Sequence, residues 1–263
     1  MQSFSSSLDN DDCRDCPVRR NCLPARLDDA AIPRFRRIVT AHLSLAKHQK
    51  FLMQDAPFSH VYVLRSGQCK TEHQARDGVR KVVGFYGPGQ MVGMEGLGTG
   101  GYRFDAVTLC DSEVCEIPYA ALAALMAEQA PLLAQFHALL GIQLDRSQRA
   151  MLMLGGATAP QRIAGFLLDL GQQHAALGES GELFNLRMSR DEIGSYLGLA
   201  VESISRVLTR FRAEGLINVS NRKIVVRDAA GLRLMAEIAP HGQAHSLPMS
   251  ESKRITDQSP GTR

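Results

Sequence analysis

Cys13, Cys16 and Cys22 are spaced C-x2-C-x5-C near the start of the chain. Thiolates are soft ligands that take zinc or iron–sulfur centres, and two intervening residues let two sulfurs face one centre without strain. Cys22 adds a third ligand, so a fourth must come from afar, from Cys69, Cys110 or Cys115. Cys110 and Cys115 differ by an odd number of positions, so in a regular strand they point to opposite faces and at most one reaches the centre. Near the other end, the run Val201-Glu202-Ser203-Ile204-Ser205-Arg206 carries groups that read DNA. A guanidinium such as Arg206 binds guanine O6 and N7 bidentately, a carboxylate such as Glu202 accepts from a cytosine amino group, and Ser205 can touch a base or a phosphate. Glu202 and Arg206 are four apart on one helix face, a spacing that also suits a plain ion pair.

A reading helix needs a partner helix and a turn. Ser189-Arg190-Asp191-Glu192 is a capping box that opens a helix to about Leu197, Gly198 allows a tight turn, and a second helix runs from about Val201 to Ala213. Ile217 to Arg227, with Asn221 in the middle, reads as a two-stranded wing carrying Arg222 and Lys223. Over residues 186–227, Arg187, Arg190, Arg206, Arg210, Arg212, Arg222, Lys223 and Arg227 stand against Asp191, Glu192, Glu202 and Glu214. This local excess of positive charge suits a phosphate backbone, whereas the whole chain is only mildly basic at +3.

Upstream, Thr158-Ala159-Pro160-Gln161 is another helix start. Between about Glu128 and Leu154 the stripe Leu133, Phe136, Leu140, Leu144, Ser147, Met151 and Leu154 steps by three or four. Such a helix can lie on its own domain or pair with a second copy of itself; Gly141 and Ser147 would make that seam weak and easily switched. From about Ser44 to Tyr119 short strands alternate with glycines, and Asp77-Gly78 marks a hairpin, the pattern of a small antiparallel roll or barrel. Residues 1–28 are polar, lack a sustained period and are expected to need a bound metal in order to fold.

The expected organisation is therefore α+β: a cysteine-rich metal-binding segment (1–28), an antiparallel β-roll sensor domain (29–127), a dimerisation helix (128–156), a winged helix-turn-helix DNA-binding domain (157–238) and a disordered tail (239–263). A chain of 263 residues can hold two cores. No run reaches the roughly 18 apolar residues of a membrane span, and Met1-Gln2-Ser3-Phe4-Ser5 lacks a signal-like basic and apolar pattern, so a cytoplasmic protein is expected. In a reducing cytosol six cysteines are metal ligands or buried thiols rather than a disulfide framework.

The cysteine triplet, the strand Val114-Cys115-Glu116-Ile117-Pro118 and the helix Val201-Glu202-Ser203-Ile204-Ser205-Arg206 together resemble the FNR (fumarate and nitrate reduction regulator) group of the cyclic-AMP receptor protein superfamily, over about Cys13 to Asp228. The resemblance implies a β-roll of the cyclic-nucleotide-binding, jelly-roll type, a long dimer helix and a winged helix-turn-helix. It also picks Cys115 as fourth ligand, with Cys13, Cys16 and Cys22, of an oxygen-labile 4Fe-4S cluster. The implied partners are a second copy as homodimer, RNA polymerase, and double-stranded DNA with a TTGAT-N4-ATCAA-like palindrome. The implied DNA-binding residues are Glu202, Ser203, Ser205, Arg206, Arg210, Arg222 and Lys223, and the implied function is oxygen-responsive control of anaerobic or microaerobic genes. Three departures stand out: Pro17, Val18, Arg19, Arg20 and Asn21 between the ligands, Ser147 where a relative has an acidic group, and Ala200 where relatives often carry a threonine or serine.

The superfamily's founding branch binds cyclic nucleotide inside the roll with Gly-Glu-Leu and Arg-Ser/Thr-Ala segments. Here the counterparts are Gly93-Met94-Glu95-Gly96 and Tyr102-Arg103-Phe104-Asp105-Ala106, with a carboxylate where an anion would sit, so no cyclic nucleotide is expected. A zinc-stabilised or a cyclic-nucleotide-responsive regulator of the same fold is the alternative. No H-E-x-x-H, G-x-S-x-G or GxxxxGK[ST] motif occurs, and the expected protein is not an enzyme.

Overall fold

The computed structural model describes residues 13–237 together with the two-residue strand β1 (Ser5–Ser6). The aperiodic cysteine segment folds as two 3-10 turns, Arg19–Asn21 and Leu23–Arg26. Its few apolar residues hold it down, because Val18, Leu23 and Leu27 are buried. Helix α1 (Ile32–Ile38) follows and packs Ile32 and Phe35 into the same core.

The roll consists of strands β2 (Ala41–Leu45), β3 (Lys50–Leu52), β4 (His60–Ser66), β5 (Cys69–Gln74), β6 (Arg80–Tyr86) and β7 (Met91–Val92), the single-turn helix α2 (Gly96–Thr99), and strands β8 (Asp105–Thr108) and β9 (Ser112–Pro118). They form two antiparallel sheets ordered β1-β2-β9-β4-β7 and β3-β8-β5-β6. The apolar run in β4 has a simple cause, which is burial on both faces. Val61 and Val63 face the helical cover with Ile117, whereas Tyr62 and Leu64 face the roll interior with Val114. The Asp77-Gly78 hairpin joins β5 to β6, with Gly78 at φ 85° and Asp77 Oδ1 accepting from Val79 N at 3.0 Å.

A short helix precedes the long one expected over about 128–156. Helix α3 (Tyr119–Glu128) ends at Gln129, and α4 (Ala130–Gly156) begins there with Pro131 in its first turn. The C-terminal unit holds α5 (Ala159–Ala176), β10 (Leu183–Asn185), α6 (Arg190–Leu197), α7 (Val201–Ala213), β11 (Ile217–Ser220), β12 (Lys223–Val226) and α8 (Ala229–Ala236). The wing has three strands, not two: β12 lies between β11 and β10, and Asn221 makes the β11–β12 turn at φ 55°. The core of this unit takes Val82 and Phe85 from β6, which docks the roll onto α5 and α6. The tail expected from residue 239 onward lies outside the described residues.

Candidate metal centre and nucleic-acid interface

The six cysteines fall into two groups. Cys22 is half-buried, with Cys115, Cys16 and Cys13 near enough to act on it by charge, whereas the cysteine that acts on Cys69 is Cys110. Strand register explains the position of Cys115, which pairs with His42 of β2 and Val63 of β4. It therefore shares the helix-covered face with Ile117, where Cys13 and Cys22 also pack. Cys110 lies in the bend between β8 and β9 and not in a strand, so the parity argument does not apply to it; location in the roll, not side-chain alternation, separates it from Cys115. Cys69 is 0% exposed and belongs to the roll interior.

Burial, then the neighbouring thiols, push the Cys22 thiol well above its ordinary value, although the backbone N–H of Leu23 pulls the other way. The Cys22 thiol thus resists ionising among its neighbours unless a cation balances it, which is the chemistry of a thiolate-bound metal or iron–sulfur centre. No three His, Cys, Asp or Glu side chains among the described residues converge closely enough to hold a single metal ion as they stand. The backbone around Cys22 is defined by Cys22 N donating to Arg19 O at 3.3 Å, Ala25 N to Cys22 O at 3.1 Å and Gln135 Nε2 to Cys22 O at 3.2 Å. The last bond ties the cysteine turn to α4.

Helix α4 presents an apolar stripe outward. Leu144 is 60% and Met151 69% exposed, and Leu133, Leu154 and the hydroxyl-bearing Ser147 are exposed as well, while Leu140 is half-buried. Phe136 differs: at 4% exposure it sits in the protomer's own core, so it is not part of the outward stripe. Ile142 and Leu152 extend the exposed apolar surface beyond the spacing read from the sequence.

The DNA-reading unit is assembled by caps and one tight turn. Ser189 Oγ accepts from Glu192 N at 3.1 Å and Ser189 N donates to Glu192 Oε2 at 2.7 Å, closing the capping box. Gly198 ends α6 at φ 63°, and a Cβ on Gly194 would stand 2.5 Å from Leu199 O, so the turn into α7 requires glycine at both places. Helix α7 buries Ile204, Val207, Leu208 and Phe211 and exposes Glu202, Ser205, Arg206 and Arg210 together on the other side, with Ser203 half-buried at its edge. Arg206 does not brace Glu202. Its Nη2 donates to Ser203 Oγ at 3.2 Å, and Arg210 pairs with Glu214 at 2.7 Å.

Arg222 and Lys223 are exposed on the wing. Arg222 Nη1 donates to Arg187 O at 3.0 Å, which brings the wing beside the start of α6. There Arg190, not singled out by sequence reading, has a buried Nη1 without a hydrogen-bond partner among the described residues. Burial, then the charge of Arg222, hold its guanidinium below the usual range. The local excess of arginines was the one available signal, and it did not say which would converge.

In the roll, Asp105 is buried with Oδ1 accepting from Gln54 N at 2.8 Å and Oδ2 paired with Lys50 Nζ. Its charge is thus already balanced within the fold, clipping β3 to β8. No helix of the described residues is long and apolar enough to cross a membrane.

Known proteins share this arrangement. The cyclic nucleotide-binding domain model matches residues 42–129, and the Crp-like helix-turn-helix domain model matches residues 161–235. The chain is 37% identical over 224 residues to the transcriptional activator protein Anr of Pseudomonas aeruginosa, covering 85% of this chain and 92% of that protein. It is 31% identical over 224 residues to the fumarate and nitrate reduction regulatory protein of Salmonella typhimurium, covering 85% and 90%. Among solved structures, FixK2 from Bradyrhizobium japonicum superposes with a TM-score of 0.68 at 28% identity, covering 76% of this chain and 98% of that one. With a roll, a long helix and a winged helix-turn-helix in the same order as these regulators, the chain belongs to the FNR group of the cyclic-AMP receptor protein superfamily of bacterial transcription factors and is not an enzyme.

Proposed function

We propose that the chain is a cytoplasmic, oxygen-responsive transcriptional regulator of anaerobic or microaerobic genes, dimeric when Cys13, Cys16, Cys22 and Cys115 hold a 4Fe-4S cluster. The observation that carries this reading is the grouping of Cys13, Cys16 and Cys115 around the half-buried Cys22, whose carbonyl is bonded to Gln135 on α4. When bound, the cluster supplies the cationic iron that balances thiolates held in this partly apolar site, in a form that oxygen destroys. Holding Cys22 keeps Leu23 and Leu27 seated and the cysteine turn pressed on α4, whose apolar stripe then pairs with a second copy.

The dimer presents two copies of α7 to a TTGAT-N4-ATCAA-like palindrome in the major groove, with Glu202, Ser205 and Arg206 toward base edges and Ser203 and Arg210 beside them. Arg190, Arg222 and Lys223 flank the helices as phosphate contacts, the unpartnered Nη1 of Arg190 being matched to an anion. Bound dimers recruit RNA polymerase. Cyclic nucleotide plays no part, and Asp105, already paired with Lys50, supports a roll kept as scaffold.

An all-sulfur donor set also suits zinc, so the deciding test is spectroscopic. Protein purified without oxygen should be brown, contain iron and sulfide at about four each per chain, and bleach in air. Colourless protein containing stoichiometric zinc would overturn the cluster.

A further inference from the structure

The turn that carries the third cysteine ends on the DNA-binding domain. Asn21, the residue before Cys22, donates from Nδ2 to Ala176 O at 2.5 Å, across 155 positions of sequence. Ala176 is the last residue of α5, and a helix leaves its final carbonyls without partners of its own. Leu177 N and Glu179 N turn back to His174 O and Gly178 N to Ala175 O, so these amides close the helix end while Asn21 caps Ala176 O from outside.

Close packing holds Asn21 there. A Cβ on Gly89 would stand 3.1 Å from Asn21 Cβ and 3.2 Å from Asn21 O, so the loop before β7 lies against this turn. One residue on, Gln90 Nε2 reaches Gln173 Oε1 of α5 at 3.4 Å. The junction borders a cleft of about 460 Å³ between the cysteine turn, that loop, α4 and α5. Asn21 and Cys22 thus face two ways: Cys22 O takes its bond from α4, and Asn21 gives its bond to α5.

We infer that Asn21 is a positioning residue that couples ligation at Cys22 directly to the end of α5, in parallel with the route through the dimer helix. The inference rests on the metal reading of Cys22. Asn21 N donates to Val18 O at 2.9 Å and Cys22 N to Arg19 O at 3.3 Å, so both residues belong to one tight turn. If Cys22 loses its metal, that turn loosens, the Asn21 amide leaves hydrogen-bond distance of Ala176 O, and the last turn of α5 frays inside the DNA-binding domain.

Hydrogen exchange at the amides of Leu177, Gly178 and Glu179 tests this in the full-length protein, metal-loaded and chelator-stripped. In the wild type these amides should exchange several-fold faster after stripping. Asn21→Leu and Asn21→Ser should exchange fast in both states while the loaded proteins keep their colour and dimer, and Asn21→Gln, which restores the donor, should regain the slow loaded rate. Equal rates in loaded and stripped wild type would overturn the coupling, as would loaded Asn21→Leu or Asn21→Ser exchanging as slowly as the wild type. Failure of the metal reading shows separately, as wild-type protein that comes out of anaerobic purification without iron. Should Asn21→Leu lose the metal, the Ser and Gln variants still separate capping from ligation.

Discussion

Lys70 Nζ stands 3.0 Å from Glu192 Oε1 and 2.7 Å from Glu72 Oε2, so a single ammonium joins the roll to the first helix of the DNA-reading pair. Around it, Val82 N donates to Ser195 Oγ at 2.9 Å and Phe85 packs edge-on to Tyr196 at 5.2 Å between ring centroids. Glu192 is also the capping-box carboxylate of α6. The helix start and the domain contact therefore depend on one side chain.

Replacing Lys70 with Met should destabilise the protein by about 3 kcal/mol, the low end for breaking a buried pair, because Arg80 still reaches Glu72 at 3.4 Å. Glu72 is 3% exposed on its side chain and would be left facing Glu192. The pH dependence follows from the same site. Burial alone would raise the Glu192 carboxyl, but the backbone N–H of Ser189 and the Lys70 ammonium outweigh it and hold it below the usual range. A depressed carboxyl contributes stability that is full above its unfolded value, about 4.3, and is lost as pH falls through the folded value. Lys70 is shifted the other way: burial opposes its charge, yet Glu72 and Glu192 raise it, so its contribution fades only as pH climbs above about 10.4. Thermal unfolding across pH should show the acid loss in the wild type and a reduced one in Lys70→Met.

Cys115→Ser and Cys110→Ser should separate by iron content. The former removes a sulfur from the group around Cys22 and is expected to give iron-free protein; the latter should keep both iron and anaerobic DNA binding. Iron loss in Cys110→Ser with retention in Cys115→Ser would move the fourth ligand. Cys69 calls for a different substitution, since a hydroxyl in the roll interior costs about 1–3 kcal/mol if unpaired; Cys69→Ala tests the metal question without that penalty.

On α4, Leu144→Ala and Met151→Ala should weaken the dimer by up to about 1.5–3 kcal/mol per buried side chain and leave the protomer's unfolding nearly unchanged. Phe136→Ala should do the reverse, costing about 3–5 kcal/mol of fold stability, because its ring fills the protomer's own core. Sedimentation over a concentration series, beside thermal unfolding of each variant, distinguishes the two. A dimer indifferent to Leu144 and Met151 would place the interface elsewhere.

These contrasts show what could be read in the sequence. Local rules held where the cause was local: the capping boxes at Thr158 and Ser189, the Gly198 turn, the Asp77-Gly78 hairpin and the apolar face of α7 all depend on residues within a few positions. What escaped depends on distant partners. Phe136 fits the outward stripe by spacing but sits in the buried core that also holds Leu23 and Ile117, and β10 joins the wing only because Phe184 pairs with Ile224. Val18, Leu23 and Leu27 are too few to give a period, yet they seat the cysteine turn. Cys69 and Cys110 meet through the fold of the roll, and the docking of β6 on α6 has no local signature at all.

The reading helix gives the most specific expectation. Arg206 rests on Ser203 and is exposed, so it can swing to a guanine without breaking a buried contact. Arg206→Ala should cost about 1–3 kcal/mol on a TTGAT-N4-ATCAA duplex and lose discrimination at the G·C pair of each half-site. In the proposed complex Glu202 would stand among phosphates as an acid, so Glu202→Ala should relax specificity at its own base pair while general affinity holds or rises. Arg190→Ala, Arg222→Ala and Lys223→Ala should weaken all sequences alike and lower the salt slope by about one per phosphate contact removed. Anaerobic binding of each variant to the palindrome and to single-base half-site changes, over a salt series, separates these roles. If Arg206→Ala weakened every duplex equally, Arg206 would be a phosphate clamp, and the palindrome would lose the contact that reads its guanine.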